Sequence, residues 1–276
     1  MKIINQNKVD RFLKNYSISD TIFVLDFDGT ITLEGANSFS AINYKSEWMQ
    51  KYVETLFHYY WPIERASNFE KIQRSLGNND LLLSKSGISF ESFREIMMQQ
   101  WWDVTMNIAV KFEINFNSFN VEKMKMREGM KDFLQLLTQK DLSLLIASAW
   151  VQNFIEPFFT LHNFDVQKMH IVANEFLVDK QGNAIWYNKE LITPFTKQHI
   201  DYTKYNLSKK KFAIQIWDSL WDAHIVNDHF DRENLLSVWF SHWQSSRQES
   251  FEKTFDIVFD KKDEGIWKLM ELLGIK

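Results

Sequence analysis

Six short runs rich in β-branched and aromatic residues recur along the chain: TIFVL (21–25), LSLLIA (142–147), MHIVA (169–173), KFAIQIW (211–217), LLSVWF (235–240) and FDIVF (255–259). From the second run on they alternate with helical patterns near 129 to 138, 151 to 161, from Ser219 and from about Asp263. Strands separated by helices cannot be joined by tight hairpins, so the alternation calls for parallel strands with helices covering both faces. The expected fold is α/β, a Rossmann-like, doubly wound and mostly parallel sheet. Between the first two runs the character changes. In FESFREIMMQQWWDVTMNIAV, Phe93, Ile96, Met97, Trp101, Val104 and Ile108 recur at three- and four-residue steps, which predicts a helix with one apolar face. A helical insert over 34–125 is therefore expected, placed after the first strand between the two parts, 1–33 and 126–276, of a core. NEFLVDKQGNAIWYN, with Gly182-Asn183 at its centre, breaks the alternation and reads as a β-hairpin appended to the sheet.

Composition narrows the function classes. A 276-residue chain that is 45% hydrophobic can bury a large interior. The first 20 residues hold no continuous apolar stretch, and no later window reaches the length of a membrane span. A soluble, cytoplasmic protein with no membrane partner is the expectation. Without cysteine there is neither disulfide nor thiolate metal site, so a metal must be held by oxygen or imidazole. The net charge of -4 argues against a nucleic-acid partner, because binders of the phosphate backbone carry a basic excess. The run Lys209, Lys210, Lys211 then reads as a solvated turn before a strand. Oligomeric state is not legible.

In a parallel sheet, ligands bind at the carboxyl ends of the strands, and four polar clusters fall there. DFDGT presents Asp26 and Asp28, one carboxylate able to attack and one able to move a proton. Its plain alternative is an acidic turn. Ser148 follows LSLLIA, where its hydroxyl and the amides of a following helix, starting with that of Ala149, suit a phosphate oxygen. A serine at a helix start is also an ordinary cap. Lys197, in ITPFTKQHI, is a cation near a predicted helix start, or else a surface lysine. WDSLWD sets Asp218 at a strand end and Asp222 one helical turn on, a spacing at which two carboxylates share a hard cation or merely acidify a first helical turn.

The order acid pair, hydroxyl, lysine, acid pair resembles the four motifs of the haloacid dehalogenase superfamily. YYWPIE (59–64), MMQQWW, MREGMKDFL and NKELITPFTK resemble its cytosolic pyrimidine 5'-nucleotidase branch, over roughly 20 to 274. The resemblance implies a phosphomonoester hydrolase whose cofactor is Mg2+. Asp26 would attack phosphorus to give an aspartyl phosphate, while Asp28 would protonate the leaving oxygen and then activate water. Asp26, the Asp28 carbonyl and Asp218 would hold the metal, Ser148, Ala149 and Lys197 the phosphate, and Ser219 and Asp222 would stand behind them. The helical insert over 34–125 would be the cap domain of that branch and would close over the site, with Glu64 reading the base of a nucleoside monophosphate. Tyr60, Trp61, Trp101 and Trp102 would be free to stack on that base, unless they are core. A phosphatase of another small phosphomonoester, such as phosphoserine or a sugar phosphate, and a catalytically impaired nucleotide-binding homologue are the alternatives.

One departure bears on the last of these. Trp150, Trp186, Trp217, Trp221 and Trp239 stand where the resembling sequences carry glycine. The chain has 8 Gly and 11 Trp, whereas an average chain of this length carries about 7% glycine. Either these are genuine tryptophans in a diverged enzyme, or their codons are UGA read as glycine. The coding sequence separates the two, since UGG at the five positions excludes recoding.

Overall fold

The computed structural model describes residues 1–33, 35–42, 47, 50–51, 90–205, 209–219, 225–226, 229–240, 248–259 and 265–275. Nine strands are described: β1 (Lys2–Ile3), β2 (Thr21–Leu25), β3 (Ser143–Val151), β4 (His170–Asn174), β5 (Phe176–Val178), β6 (Ala184–Tyr187), β7 (Phe212–Trp217), β8 (Leu235–Phe240) and β9 (Ile257–Phe259). The described α-helices are α1 (Gln6–Asn15), α2 (Phe90–Lys111), α3 (Met130–Gln139), α4 (Gln152–Leu161), α5 (Gln248–Thr254) and α6 (Gly265–Leu272).

All six runs are strands of one seven-stranded sheet, in the order β1-β9-β8-β7-β2-β3-β4. Six pair in parallel, and β1 closes one edge antiparallel, Lys2 opposite Val258 and Ile3 opposite Ile257. Every residue of β2, β7 and β8 is buried. Strands buried at every position have both faces covered, as the continuous apolar runs require. β2 lies between β3, the next strand of this sheet in sequence, and β7, reached only after a long excursion. The strand order therefore reverses at β2, and a crevice opens at the carboxyl ends there.

The chain divides into two compact units. The first is Met1–Ala41, Asn120–Asn174 and Lys197–Lys276; the second is Ile42–Phe119 and Glu175–Thr196. The predicted hairpin is present, but it is not appended to the main sheet. β5 and β6 form a separate two-stranded sheet in the second unit. Ala184 N–H donates to Ile114 O at 2.8 Å and Phe116 N–H to Gly182 O at 2.9 Å, so the free edge of β6 is taken by the segment after α2. Placing the hairpin with a core of 126–276 thus gives way to this division.

Helix α2 also corrects its predicted face. Among its described side chains, those it buries are Met98, Trp101, Trp102, Thr105, Met106 and Ala109, a stripe with helical spacing, whereas Ile96 is 47% exposed. The stripe lies to one side of the expected 96, 101, 104, 108 line. Among the described residues of the predicted face, Trp101 is the one that is buried, while Phe93 and Met97 lie outside the described side chains. Trp101 and Trp102 are buried with ring centroids 4.8 Å apart, which assigns both to the interior of their unit.

Two further elements of the first unit escaped the sequence reading. Neither β1 nor α1 is signalled by a long periodic pattern, yet both are tied to the sheet. Lys8 on α1 pairs with Asp256 at 2.7 Å with both side chains buried, and Asp256 also accepts from the Ser237 N–H at 3.0 Å.

Candidate active site

The register of three adjacent strands places the predicted residues at one edge of the sheet. Leu25 lies opposite Ile146 on one side and Ile216 on the other. Asp26, the next residue, still donates its N–H to Ile216 O at 3.2 Å. Ser148 and Asp218 follow the neighbouring strand positions by two residues each, so both stand at the same carboxyl edge as Asp26.

Asp26 is not on a solvent-facing strand end, since it is 7% exposed. Its Oδ1 accepts from Lys197 Nζ at 2.9 Å, and Lys197 is itself 2% exposed. A lysine buried this deeply needs a charged partner, and Asp26 is one. The surface reading of Lys197 is thereby excluded. Lys197 opens a short 3-10 turn, Lys197–His199.

Beyond Asp26 the chain turns sharply. Gly29 adopts φ 75 and ψ -15, a left-handed conformation that a side chain disfavours. Arg127 is buried beside this turn: its Nε donates to Thr30 O at 2.9 Å, an Nη donates to Gly29 O, and its guanidinium lies 4.2 Å from the Phe240 ring centroid. The turn directs Asp28 into a polar clamp. Its Oδ1 accepts from the Ser38 N–H at 2.9 Å and from Thr32 Oγ1 at 3.4 Å, and its Oδ2 accepts a short hydrogen bond from Ser38 Oγ. Burial pushes the Asp28 carboxyl up to about 6, the Asp26 charge adds to the rise, and the Ser38 and Thr32 hydrogen bonds oppose it. One carboxyl is thus ion-paired while its neighbour protonates readily, the division of labour an acid and a nucleophile need. Ser38, Thr32 and Arg127 were all missed from sequence. Arg127 lies within the MREGM motif; for the other two no signal distinguishes them from ordinary turn residues.

Ser148 departs in detail from its expected place. It lies inside β3, not at a helix start, and α4 begins only at Gln152. Between Ala147 and Val151 the pairing with β4 slips, four residues of β3 advancing against two of β4. A bulge of this kind re-aims side chains at a strand end. Ser148 is buried and its Oγ accepts from the Trp150 N–H at 3.1 Å, while Asn174 Nδ2 donates to Ala149 O at 2.7 Å. The bulge replaces the helix amides proposed for this place.

Asp218 and Ser219 follow β7 and are half-buried. The Asp218 carbonyl accepts from Trp239 Nε1 at 3.0 Å. Among the described residues, no three Asp, Glu or His side chains converge as a ready metal cage. The donors at this edge are the carboxylates of Asp26 and Asp218 with backbone carbonyls such as that of Asp28, an all-oxygen set suited to a magnesium ion that keeps most of its waters. The repulsion between Asp26 and ionised Asp28 is what a cation would relieve, so the residues present fit one. Glu64, Tyr60, Trp61, Trp221 and Asp222 lie outside the described residues.

Among the described residues, none of Trp150, Trp186, Trp217 and Trp239 stands at positive φ. Trp150, Trp217 and Trp239 are buried, and Trp186 is 54% exposed on the hairpin. Trp239 stacks on Phe251 with centroids 3.8 Å apart, and Lys197 Nζ lies 5.5 Å from the Trp217 ring centroid. Among the described residues, Trp217 Nε1 is buried with no hydrogen-bond partner.

Comparison with known proteins gives concordant results. A family model described as pyrimidine 5'-nucleotidase (UMPH-1) matches residues 87–275. The putative cytosolic 5'-nucleotidase 3 of Caenorhabditis elegans is 23% identical over 266 residues, covering 86% of this chain; the match spans 64% of that relative's length, just under two thirds. A 7-methylguanosine phosphate-specific 5'-nucleotidase of Gallus gallus is 22% identical over 273 residues, covering 92% of this chain and 88% of its own. Among solved structures, that of cytosolic 5'-nucleotidase IIIB bound to cytidine superposes with a TM-score of 0.70 at 16% identity, covering 97% of this chain and 89% of that one. That likeness establishes a shared fold.

Proposed function

Because the chain belongs to the pyrimidine 5'-nucleotidase family, we propose that it hydrolyses a small phosphomonoester, a nucleoside 5'-monophosphate, by attack of Asp26 on phosphorus. The observation that carries this reading is the buried Asp26–Lys197 pair at the carboxyl end of β2, with the readily protonated Asp28 two residues on. Lys197 occupies Oδ1 of Asp26, which leaves Oδ2 to attack. A bond forms between that oxygen and phosphorus, the ester P–O bond breaks, and the leaving oxygen takes the proton of the Asp28 carboxyl. Asp28, now a carboxylate, accepts a proton from water; the hydroxyl oxygen bonds to phosphorus, and the Asp26 carboxylate departs.

Lys197 balances negative charge throughout, and Ser148 with the amides of the β3 bulge offers donors for the phosphoryl oxygens. Magnesium, held by Asp26, Asp218 and the Asp28 carbonyl, would supply the neutralisation that lets an anionic nucleophile meet an anionic phosphate. The names of the relatives, nucleotidases of cytosolic type or specific for 7-methylguanosine phosphate, support a nucleoside monophosphate and a cytoplasmic site of action. For the base we look to Glu64, whose carboxylate can accept from an exocyclic amine or ring N–H.

A second reading, an impaired nucleotide-binding homologue, is favoured by one observation: the unpartnered buried indole N–H of Trp217, directly before Asp218. A panel of cytidine, uridine and 7-methylguanosine monophosphates, phosphoserine and 4-nitrophenyl phosphate, assayed with magnesium and with EDTA, separates the two. Magnesium-dependent release of phosphate from a nucleoside monophosphate is expected. Turnover that EDTA leaves intact would overturn the metal assignment, and binding of a nucleoside monophosphate without turnover above background would establish the second reading.

A further inference from the structure

Ser38 is ten residues beyond Asp28 and belongs to none of the four motifs, yet its two polar groups contact Asp28. Its N–H donates to Oδ1 at 2.9 Å and its hydroxyl donates to Oδ2. Such a two-point grip fixes both the position and the rotation of a carboxyl group. With Thr32 also on Oδ1, that oxygen carries two donors and Oδ2 one, so Oδ2 is the oxygen with room for a proton. Ser38 is fully buried and stands at the start of a 3-10 turn, Ser38–Ala41.

The segment that carries Ser38 is anchored apart from the Asp26–Thr30 turn. Leu33 N–H donates to Lys125 O at 2.8 Å, Lys125 N–H to Ala36 O at 2.8 Å and Asn120 N–H to Ala41 O at 3.2 Å, with Thr32 bridged to Met126. Main-chain bonds therefore pin the chain on both sides of Ser38. Among the described residues, the donors that meet the Asp28 carboxyl are the Thr32 hydroxyl and the amide and hydroxyl of Ser38.

We infer that Ser38 is a positioning residue for proton transfer: it holds the Asp28 carboxyl with Oδ2 turned to the leaving oxygen. This rests on the reading of Asp28 as the acid that protonates that oxygen. A group held in the productive orientation donates its proton without first having to be ordered, and the benefit falls on substrates whose leaving oxygen needs the proton.

The test is the dependence of kcat/KM on the leaving group in the full chain with magnesium. Phenyl phosphate has a poor leaving group that needs protonation, and 4-nitrophenyl phosphate a good one that does not. In Ser38→Ala, kcat/KM on phenyl phosphate should fall about 10- to 100-fold, and on 4-nitrophenyl phosphate less than about 3-fold. Asp28→Asn should show the same selectivity more strongly, and Ser38→Thr, which keeps the hydroxyl, should recover most of the loss. Equal losses on both substrates in Ser38→Ala, with Ser38→Thr no better, would overturn the positioning role and leave the proposed function standing. A wild-type protein that cleaves nucleoside monophosphates but neither aryl phosphate would overturn this inference alone, and one that cleaves none of them would overturn the proposed function with it.

Discussion

Asp26 and Asp28 are two residues apart and differ in everything that matters to their chemistry. Asp26 faces a buried lysine at 2.9 Å, whereas Asp28 faces a hydroxyl, an amide and the charge of Asp26. Removing the Asp26 charge should therefore do two things. Asp26→Asn is expected to lose turnover entirely and to lose about 1 to 3 kcal/mol of stability, since Lys197 stays buried without its carboxylate. Phosphate release and denaturant unfolding check the two parts. Asp28→Asn has the opposite effect on stability. The Asp28 carboxyl titrates at about 6 in the fold against an ordinary 3.8, so burying it costs nothing below pH 3.8 and the cost grows as pH rises through 6. The penalty reaches about 3 kcal/mol well above pH 6, at roughly 1.4 kcal/mol per unit. Asparagine keeps the clamp, because its oxygen accepts from the Ser38 N–H while its amide donates to Ser38 Oγ. Unfolding in metal-free buffer should find Asp28→Asn more stable than wild type at about pH 8 and equal to it near pH 4; a difference that ignores pH would contradict this account. Asp26 and Asp28 were legible because a pair of acids directly after an apolar strand stands out, whereas Lys197, which opens a 3-10 turn, was singled out by its place in the order of the motifs. Ser38 was not legible, because a serine in a turn has many uses.

At the scale of elements, the described parallel strands were legible: β2, β7, β8 and β9, buried at every position, leave a continuous apolar signature, and the partly exposed edge strand β4 is marked by its β-branched residues. The short antiparallel edge β1 leaves none. At Ile96, Val104 and Ile108 the face of α2 was misread because apolar residues stand on overlapping stripes on either side of Trp101 and Trp102, and spacing cannot choose between them. The hairpin was found and its partner missed, because the edge that pairs with Ala184 is formed by residues 114–116, which have no strand pattern of their own. Two element-scale contacts carry definite costs. Gly129 caps α3 at φ +73, and a Cβ there would meet Ile266 Cγ2 at 2.5 Å. Gly129→Ala should cost about 2 to 4 kcal/mol, from left-handed strain and overpacking together. Lys8→Met should cost about 3 to 5 kcal/mol, because it leaves Asp256 buried without its cation. Denaturant midpoints measured at constant slope would check both, and a loss below 1 kcal/mol in either would show that the contact yields.

For the whole molecule, a cation that binds only the folded site must raise its stability. Magnesium at 100 times its dissociation constant adds about 2.7 kcal/mol, a shift of a few degrees in Tm for a chain of this size. The rise should vanish with EDTA and be smaller in Asp218→Asn; an equal rise in that variant would place the ion elsewhere. The division of the chain has a different kind of consequence. The polypeptide passes from one unit to the other after Ala41, Phe119, Asn174 and Thr196, so neither unit is one stretch of sequence. Within the second unit, Asn115 Nδ2 bonds Asn183 Oδ1 at 2.8 Å and Tyr187 OH bonds Asp103 Oδ1 at 2.5 Å, each joining 42–119 to 175–196. A crossover that exchanged 42–119 between two diverged genes and left 175–196 behind would inherit one member of each of these pairs without its partner, and its product would be a misfit. The two stretches must therefore descend together, and any gene shuffled between them in its history should show matched ancestry on both sides.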